Sequence, residues 1–250
     1  MSDEHGGSTC LVFGAGCQYR NGQDTPRHSL VIAADGGADH ARSLGLEPDL
    51  IVGDFDSISS PPPQGGSRII RLPAEKDDTD MQAALKLGWE HGYRRFVIYG
   101  GLGGRIDHSI ANVAAICLLA QHGGLGLLVG DGIGLTAICD GSLEFPAWAP
   151  DLASEHTISV FSASDRSLGV GEEGLKYGLQ EAEMDMVMSH GSGVSNEFLA
   201  DRPARISVRE GTLLVSYPLS APSPAWSTRL EATASLGPLD LSLSDHLNVA

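Results

Sequence analysis

The sequence predicts an α/β domain with a mostly parallel sheet, followed by a mostly β domain. In the first half, short runs rich in β-branched residues alternate with helix-like stretches, which is typical of strands joined by helical crossovers. After about residue 130, closely spaced extended segments replace that alternation. We therefore place an α/β domain at 9–130, a β domain at 131–218, and either an appended tail or an extra edge strand at 219–250.

The α/β domain begins with alternating strands and helices. Its predicted strands are Thr9–Phe13, Leu30–Ala34, Leu50–Val52, Arg68–Leu72, Phe96–Tyr99 and Leu127–Val129. Asp78 or Thr79 is a candidate cap for a helix that ends near His91, because apolar residues follow at helical spacing. A second helix, from about Asp107 to Gln121, is apolar on most sides and is expected to be buried.

The second half is predicted from shorter patterns. Thr157–Phe161 reads as a strand, and the alternating segments Arg205–Val208 and Thr212–Tyr217 read as a hairpin with its turn at 209–211. The G-x-G-x-x-G of Gly169–Gly174 lies outside a βαβ unit, which favours turn chemistry over dinucleotide binding. Two loop-like stretches remain: the Pro-rich 59–67, a plain connection or a lid, and the end of the chain, where Leu239, Leu241 and Leu243 alternate like a strand.

Charge and composition exclude several classes of protein. The 250 residues are 42% hydrophobic, which suits a globular chain of one to two domains. Lysine plus arginine is 16 against 32 aspartates and glutamates, giving a net charge of −16, so nucleic acid is not expected as a partner. The longest apolar run, Ile110–Ala120, is too short to cross a bilayer.

The amino-terminal residues and the cysteines bear on location. Residues 1–8 have neither a basic nor an apolar stretch of the kind found in secretory signals. The four cysteines, Cys10, Cys17, Cys117 and Cys139, form no C-x-x-C pair, and two lie in apolar runs, which suggests buried thiols in a reducing compartment. We expect a cytoplasmic protein.

Three polar or glycine-rich clusters each follow the carboxyl end of a predicted strand. They are A-D-G-G-A at 34–38, G-D-F-D-S at 53–57 and G-G-L-G-G-R-I-D-H at 100–108. Taken alone, each is weak, because an Asp-Gly pair such as the one at Asp35 is usually a turn. In an open parallel sheet, however, ligands bind at the carboxyl edge of the strands, so together the clusters predict one cleft.

The second cluster has the chemistry of a metal site. In an extended backbone, Asp54 and Asp56 point to the same side, and Phe55 points to the other. Two adjacent carboxylates are costly without a cation, and hard oxygen ligands favour Mg²⁺. In the acidic run at 76–80, Asp77 and Asp78 read as a charged helix start, whereas Asp80 is close enough to the helix start to face the sheet edge.

The third cluster suits an anion. Four glycines lead into Arg105 and a helix start, where backbone N–H groups and a guanidinium would meet phosphate oxygens. Asp107 and His108 are either a helix cap and its neighbour, or a metal or nucleotide contact and a proton-transfer group. The sequence has no G-x-x-x-x-G-K-[ST] loop, no protein-kinase motifs and no zinc-binding spacing.

These motifs resemble those of the thiamine pyrophosphokinase family. The resemblance is carried by A-D-G-G-A at 34–38, P-D-L-I-V-G-D-F-D-S at 48–57, K-D-D-T-D at 76–80, G-G-R-I-D-H at 103–108, G-L-K-Y-G-L at 174–179 and S-N-E-F at 195–198. It implies a Rossmann-like α/β amino-terminal domain, an all-β sandwich carboxyl-terminal domain, and a homodimer with active sites at the interface. It also implies transfer of diphosphate from ATP to thiamine.

The resemblance also implies roles for individual residues. Asp54, Asp56 and Asp80 would hold Mg²⁺, and through it the ATP phosphates. Arg105 with Asp107 would bind the nucleotide phosphates, with Asp35 and Thr79 nearby. Ser195 and Asn196 would reach the thiamine pyrimidine, from the partner subunit; without the resemblance, this pair reads as a β-turn. The general base is unassigned.

Three other functions remain open. A pyrophosphokinase acting on another alcohol, such as a pterin, would use the same motifs. A phosphatase of the haloacid dehalogenase type would use Asp54 as a covalent nucleophile, but position 58 is Ile where its signature has Thr or Val, and the motif does not follow the first strand. A non-catalytic nucleotide-binding module is disfavoured because the full set of carboxylates is present.

Overall fold

The chain forms a mixed sheet and a second sheet of antiparallel strands, with few helices. The computed structural model describes residues 8–19, 26–54, 67–73, 76–149, 156–186 and 193–239. The chain divides into two compact units. The first comprises Met1–Ala115, Leu128–Gly130 and Thr233–Ala250, and the second comprises Ile116–Leu127 and Asp131–Ala232.

Five parallel strands form the frame of the first unit. They are β1 (Thr9–Phe13), β2 (Leu30–Ala34), β3 (Leu50–Gly53), β4 (Arg68–Arg71) and β5 (Arg95–Tyr99). Their order is β5-β1-β2-β3-β4, and each neighbouring pair is parallel. The predicted strands and their parallel pairing are confirmed here. β1, β2 and β3 are almost continuously buried, as expected of strands covered on both faces.

Helices α1 (Gly37–Ser43) and α2 (Asp80–Glu90) lie beside these strands in the first unit. Helix α2 packs against β1, β2 and β3. Thr79 caps α2 in a capping box with Gln82: the Gln82 N–H donates to Oγ1 of Thr79 at 3.1 Å, and the Thr79 N–H donates to Oε1 of Gln82 at 2.9 Å. Of the two candidate caps, Asp78 and Thr79, Thr79 is the cap.

Helix α3 (Ile106–Gln121) is buried over only part of its length. Ile116 and Leu119 are fully buried, but Ile106 is 74% exposed and Ile110 64% exposed. The expectation of a buried helix is therefore wrong for its first turns. An apolar sequence on all sides does not specify which end of a helix is covered by tertiary contacts. Strand β6 (Leu125–Val129) follows α3.

The neighbouring strands of the second unit pair in the antiparallel direction and belong to the two sheets. Its strands are β7 (Ile133–Cys139), β8 (Gly141–Trp148), β9 (Thr157–Ser162), β10 (Ser167–Glu173), β11 (Leu179–Met184), β12 (Asn196–Glu197), β13 (Arg202–Ser207), β14 (Thr212–Pro218) and β15 (Ala225–Thr228). Strands β12-β9-β14-β7 are neighbours in one sheet, and β11-β10-β13-β8-β15 form the other. One core contains side chains of both sheets, including Phe145, Val160, Ile206 and Val215.

Two sequence expectations fail in this unit. β13 pairs with β8 and β10, whereas β14 pairs with β7 and β9, so the two strands belong to different sheets and are not a hairpin. Alternation identified both strands, but it carries no information about their partners. Gly169–Gly174 is also not a simple turn: all but Gly174 lie in β10, which is irregular, and Gly169 has φ +62°.

After β14, the structure describes the chain as far as residue 239. β15 pairs with β8 as an edge strand. In the first unit, Nε1 of Trp89 on α2 donates to the Thr233 carbonyl at 3.0 Å, and Nζ of Lys86 donates to the Pro238 carbonyl at 2.8 Å. Leu239 is not in a strand, and Leu241, Leu243 and most of the 59–67 loop lie outside the described residues.

The four cysteines are free thiols. Cys10 is buried, Cys17 is exposed, and the other two are intermediate. Burial raises the pKa of Cys10, and it raises that of Cys117 to about 11, so neither thiol is a ready nucleophile. Among the described residues, no helix is long and apolar enough to span a membrane.

Candidate active site

The carboxyl edge of the parallel strands brings two of the sequence clusters together. Asp35 follows β2 in a left-handed conformation (φ +46°), and its N–H donates to the Val52 carbonyl of β3 at 2.9 Å. A Cβ at Gly53 would collide with Oδ1 of Asp35. The Asp35 carboxylate therefore lies over Gly53, beside the start of the D-F-D-S cluster, and only glycine allows this approach.

The glycine-rich cluster joins the same edge through β1. The Gly14 N–H donates to the Tyr99 carbonyl at 2.8 Å, and the Gly16 N–H donates to the Gly100 carbonyl at 3.0 Å. A Cβ at Gly14 would lie 2.7 Å from Cε of Met81, so the first turn of α2 is also in contact here. Sequence reasoning missed Gly14 and Gly16; the signal was two glycines directly after a predicted strand.

The structure describes two of the three predicted metal ligands. Asp54 follows β3 at this edge and is half-buried, whereas Asp56 lies outside the described residues. Asp80 is the first residue of α2, and its Oδ1 lies 2.9 Å from Nζ of Lys76. No group of three or more metal-binding side chains is present among the described residues.

The donor chemistry of Asp54 and Asp80 fits Mg²⁺. Both are carboxylates, they follow or begin elements that meet at one sheet edge, and hard oxygen ligands suit this ion. Lys76 already supplies one positive charge to Asp80. Its Nζ also donates to the Pro73 carbonyl at 3.0 Å, and its side chain is only 6% exposed. Sequence reasoning missed this buried lysine, although it lies four residues before Asp80.

Neighbouring acids in the 76–80 run behave differently. Asp78 forms an ion pair with Lys86, at 2.6 Å between Oδ2 and Nζ, and both side chains are mostly buried. Because Lys86 also holds the Pro238 carbonyl, this pair ties the helix start to the segment that follows β15. Asp78 therefore has a structural role, in agreement with its interpretation as part of a charged helix start.

Arg105 and Asp107 form an exposed pair at the start of α3. Nε of Arg105 lies 3.2 Å from Oδ1 of Asp107, and its Nη2 lies 2.5 Å from Oδ2. The Arg105 hydrogen bonds lower the pKa of Asp107 to about 2. Oδ1 of Asp107 also accepts from the His108 N–H at 3.0 Å. An exposed guanidinium of this kind is accessible to an anionic ligand.

A buried amide anchors the loop before this pair. Gly100, Gly103 and Gly104 have positive φ angles of 64°, 78° and 71°. Nδ2 of Asn112, a buried residue of α3, donates to the Gly101 carbonyl at 2.8 Å. Sequence reasoning did not assign Asn112 a role; its only signal was a polar residue inside an apolar run.

Ser195 and Asn196 have different surroundings in the second unit. Ser195 is exposed, has φ +57°, and its N–H donates to Oγ of Ser159 at 3.0 Å. Asn196 begins β12 and is 2% exposed. Its amide hydrogen-bonds to Glu172, Tyr177 and Glu197. Ser195 is thus accessible to a ligand, whereas the Asn196 amide is engaged within the protein.

The comparisons with known proteins cover both units. A family model described as thiamin pyrophosphokinase, catalytic domain, matches residues 23–124. A second, described as thiamin pyrophosphokinase, vitamin B1 binding domain, matches residues 149–213. These two matches contain all of the predicted site residues.

Individual relatives agree with the family models. The chain is 35% identical over 96 residues to the thiamine pyrophosphokinase of Bacillus subtilis, a match covering 36% of this chain and 44% of the relative. It is 28% identical over 96 residues to thiamin pyrophosphokinase 1 of Caenorhabditis elegans, covering 34% and 38% of the two chains. The match thus spans less than half the length of these curated relatives.

Solved structures show a similar fold over most of the chain. The thiamine pyrophosphokinase of Bacillus subtilis superposes with a TM-score of 0.71 at 22% identity, covering 84% of this chain and 99% of that one. The thiamin pyrophosphokinase of Geobacillus thermodenitrificans gives a TM-score of 0.67 at 25% identity, covering 84% and 97%. With both family models matched and the fold shared, the chain belongs to the thiamine pyrophosphokinase family.

Proposed function

We propose that this protein transfers diphosphate from ATP to the hydroxyl of thiamine, releasing AMP. The observation that carries the proposal is the meeting of Asp35, Asp54 and the first turn of α2 at one sheet edge, beside a glycine-rich loop that leads to Arg105. Membership of the family makes thiamine the acceptor to test first.

The first unit is assigned the nucleotide and the metal. Mg²⁺ would be held by Asp54, Asp56 and Asp80, and when bound it supplies positive charge that neutralises phosphate oxygens. Arg105 would bind the nucleotide phosphates, and Asp107 would hold its guanidinium in place until they arrive. Asp35 and Thr79 would lie near the bound nucleotide, although Thr79 is also the helix cap.

The second unit is assigned thiamine. The exposed Ser195 would contact the pyrimidine directly. The Asn196 amide is already fully hydrogen-bonded within the protein, so it would support the site from below the surface. In the proposed homodimer, these residues reach the first unit of the partner subunit. The exposed Ile106 and Ile110, one helical turn apart beside Arg105, support an interface on this side of α3.

The reaction then requires little covalent chemistry from the protein. The thiamine hydroxyl oxygen attacks the β-phosphorus in line, a new P–O bond forms, and the bond to the α-phosphate oxygen breaks to release AMP. Positioning and charge neutralisation are the main demands of such a transfer. The hydroxyl proton leaves to a base that is not assigned; the aspartates at the sheet edge are the candidates.

Two broader features bear on the nucleotide site and on the location of the protein in the cell. The chain places β2, β3 and β4 on one side of β1 and then β5 on the other side, so the strand order reverses between β1 and β5. This reversal favours a Rossmann-like description, with the nucleotide bound at the switch point. The four free thiols favour a reducing, cytoplasmic location.

Product analysis tests the function directly. Purified protein is incubated with Mg²⁺ and ATP, with and without thiamine, and the products are identified by mass spectrometry. We expect AMP and thiamine diphosphate in equal amounts, and only when thiamine is present. AMP formed with a pterin alcohol but not with thiamine would keep the reaction and change the acceptor. Phosphate release without AMP would indicate a phosphatase, and the absence of turnover would indicate a binding module.

A further inference from the structure

The core of the second unit contains a carboxylate that the proposed mechanism does not use. Glu172, on β10, is 1% exposed. Oε2 accepts a hydrogen bond from Nδ2 of Asn196 at 2.7 Å, and Oε1 has no hydrogen-bond partner among the described residues. Burial raises the pKa of Glu172, and the Asn196 hydrogen bond opposes that rise. A leucine would fill this place at a lower desolvation cost, so packing does not explain the acid.

The Asn196 amide uses its full hydrogen-bonding capacity. Nδ2 donates to Glu172 and to the Tyr177 carbonyl at 2.7 Å. Oδ1 accepts from the N–H groups of Tyr177, at 3.0 Å, and Glu197, at 2.9 Å. Two donors and two lone pairs are all that an amide offers. Asn196 therefore joins the segments around residues 177 and 197, and Glu172 fixes the orientation of the amide.

The two joined segments are further linked to each other and carry exposed side chains. The Lys176 N–H donates to the Glu197 carbonyl at 3.0 Å, and Nζ of Lys176 lies 2.7 Å from Oε1 of Glu197. Tyr177 is 61% exposed on the first segment, and Ser195 is exposed on the second. The left-handed backbone of Ser195 is costly for a residue with a side chain and persists only where its neighbours impose it.

We propose that Glu172 is a positioning residue for the thiamine half of the site: by holding the Asn196 amide, it fixes the two segments that present Tyr177 and Ser195. This inference rests on the proposed function. Its physical basis is that a binding site needs side chains held by a buried, hydrogen-bonded support. Removing one partner of a buried hydrogen bond leaves the other unsatisfied, which is costly enough to weaken binding about tenfold.

The test compares three variants at neighbouring positions. Glu172→Leu keeps the volume and removes the acceptor, so we expect the amides of Tyr177 and Glu197 to exchange hydrogen at least about tenfold faster and the KM for thiamine to rise about tenfold. Glu172→Gln retains an oxygen that accepts from Asn196 and is expected to restore both quantities to within about threefold of wild type. Glu173→Leu, next on the same strand but exposed, is the control without effect on either.

Comparing the KM for thiamine with the KM for ATP separates a loss of positioning in the thiamine half of the site from a general loosening of the fold. The KM for ATP is expected to stay within about twofold in all three variants, whereas a loosened fold would raise both constants. Unchanged exchange in Glu172→Leu would overturn the proposal, and so would faster exchange with an unchanged KM for thiamine. If Glu172→Leu does not fold, Glu172→Met, which also removes the acceptor, takes its place and is expected to show the same two effects.

The proposed function can fail independently of this inference. Wild-type protein that makes no AMP with thiamine refutes the function. Direct titration of the variants with a pterin alcohol, the alternative acceptor, together with the exchange rates, still decides the role of Glu172. Equal affinity of wild type and Glu172→Leu for that acceptor would overturn the inference.

Discussion

Single carboxylates at the sheet edge are expected to control turnover without controlling stability. Asp54 follows β3 and is half-buried, so its replacement removes little core packing. We predict that Asp54→Asn lowers kcat by about 10²- to 10³-fold, the loss typical of removing one electrostatic group from an active site. AMP formation measures kcat, and Mn²⁺ binding followed by electron paramagnetic resonance is expected to weaken.

The matched control is Asp39→Asn. Asp39 is exposed on α1 and interacts with Arg42 at the surface, so neither turnover nor Mn²⁺ binding is expected to change. Full activity in Asp54→Asn would show that this carboxylate is not part of the reaction centre and would also remove it as a phosphatase nucleophile.

The Arg105–Asp107 pair has a predicted pH signature. Because Arg105 lowers the pKa of Asp107 from 3.8 to about 2, the carboxylate form is favoured. The stabilisation that the Arg105–Asp107 ion pair gives to the folded protein is therefore present above pH 3.8 and is lost as the pH falls through about 2. Carboxyl-carbon NMR titration is expected to give an Asp107 pKa near 2 in wild type and a value back near 4 in Arg105→Gln. A value near 4 in both proteins would mean that the pair does not form in solution.

Some residue roles could be predicted from sequence and others could not. The positions of Asp35 and Asp54 at the sheet edge could be predicted because each directly follows a strand, and strand ends meet at one edge. Lys76, Asn112 and Glu172 were missed because a buried polar side chain is recognised by its partners, which are set by the fold. Asn196 shows the same limit: its position in a motif does not reveal that its amide is saturated.

Among the helices and strands, α2 has the most clearly defined start, which is set by the capping box of Thr79 and Gln82. Thr79→Ala removes the side-chain acceptor of the capping box and is expected to destabilise the protein by about 1 kcal/mol. That corresponds to a fall in Tm of about 2–4 °C for a chain of this size, measured by thermal unfolding. Thr79→Ser retains the hydroxyl and is the control expected to unfold near the wild-type temperature.

The first turn of α2 also contains Asp80, so the cap is expected to affect activity. Fraying of this turn in Thr79→Ala moves Asp80 relative to the sheet edge, and we expect a lower kcat together with the lower Tm. A full loss of kcat with an unchanged Tm would instead assign Thr79 mainly to substrate binding.

At this scale, local patterns predicted the elements better than their partners. Runs of β-branched residues located β1–β5 to within about two residues, because burial on both faces demands them. The pairing of β13 and β14 was wrong because the connection at 209–211 crosses between sheets, where the Gly211 N–H donates to Asp140 at 2.9 Å. A short polar connection has the same composition whether it forms a hairpin turn or crosses from one sheet to another.

For the whole molecule, the central prediction is a homodimer with shared active sites. If each site takes Asp54 from one subunit and Ser195 from the other, mixing Asp54→Asn with Ser195→Trp produces hybrids with one intact site. Random exchange of equal amounts makes half of the dimers hybrid, so about one quarter of wild-type activity is expected. An assay of AMP formation after subunit exchange measures it.

Each parent variant alone is the control and is expected to be nearly inactive. No recovery in a mixture shown to contain hybrids would place both residues in the site of one subunit. Ile110→Glu provides a second test. Ile110 is exposed in the single subunit, and if it is buried in the dimer interface, an unpaired charge there would disrupt the dimer. Sedimentation of this variant is then expected to show monomers.

The sequence by itself determined that strands alternate with helices in the first half and follow one another closely in the second, the parallel strands of the first unit, and the order of the acidic and glycine-rich clusters. These follow from local properties, namely β-branched runs, helix caps and glycines after strands. Only the tertiary structure decided which strands pair in the second unit, which part of α3 is exposed, and which polar groups are buried. Pairing, exposure and hydrogen-bond partners depend on residues distant in the chain, and local composition does not contain that information.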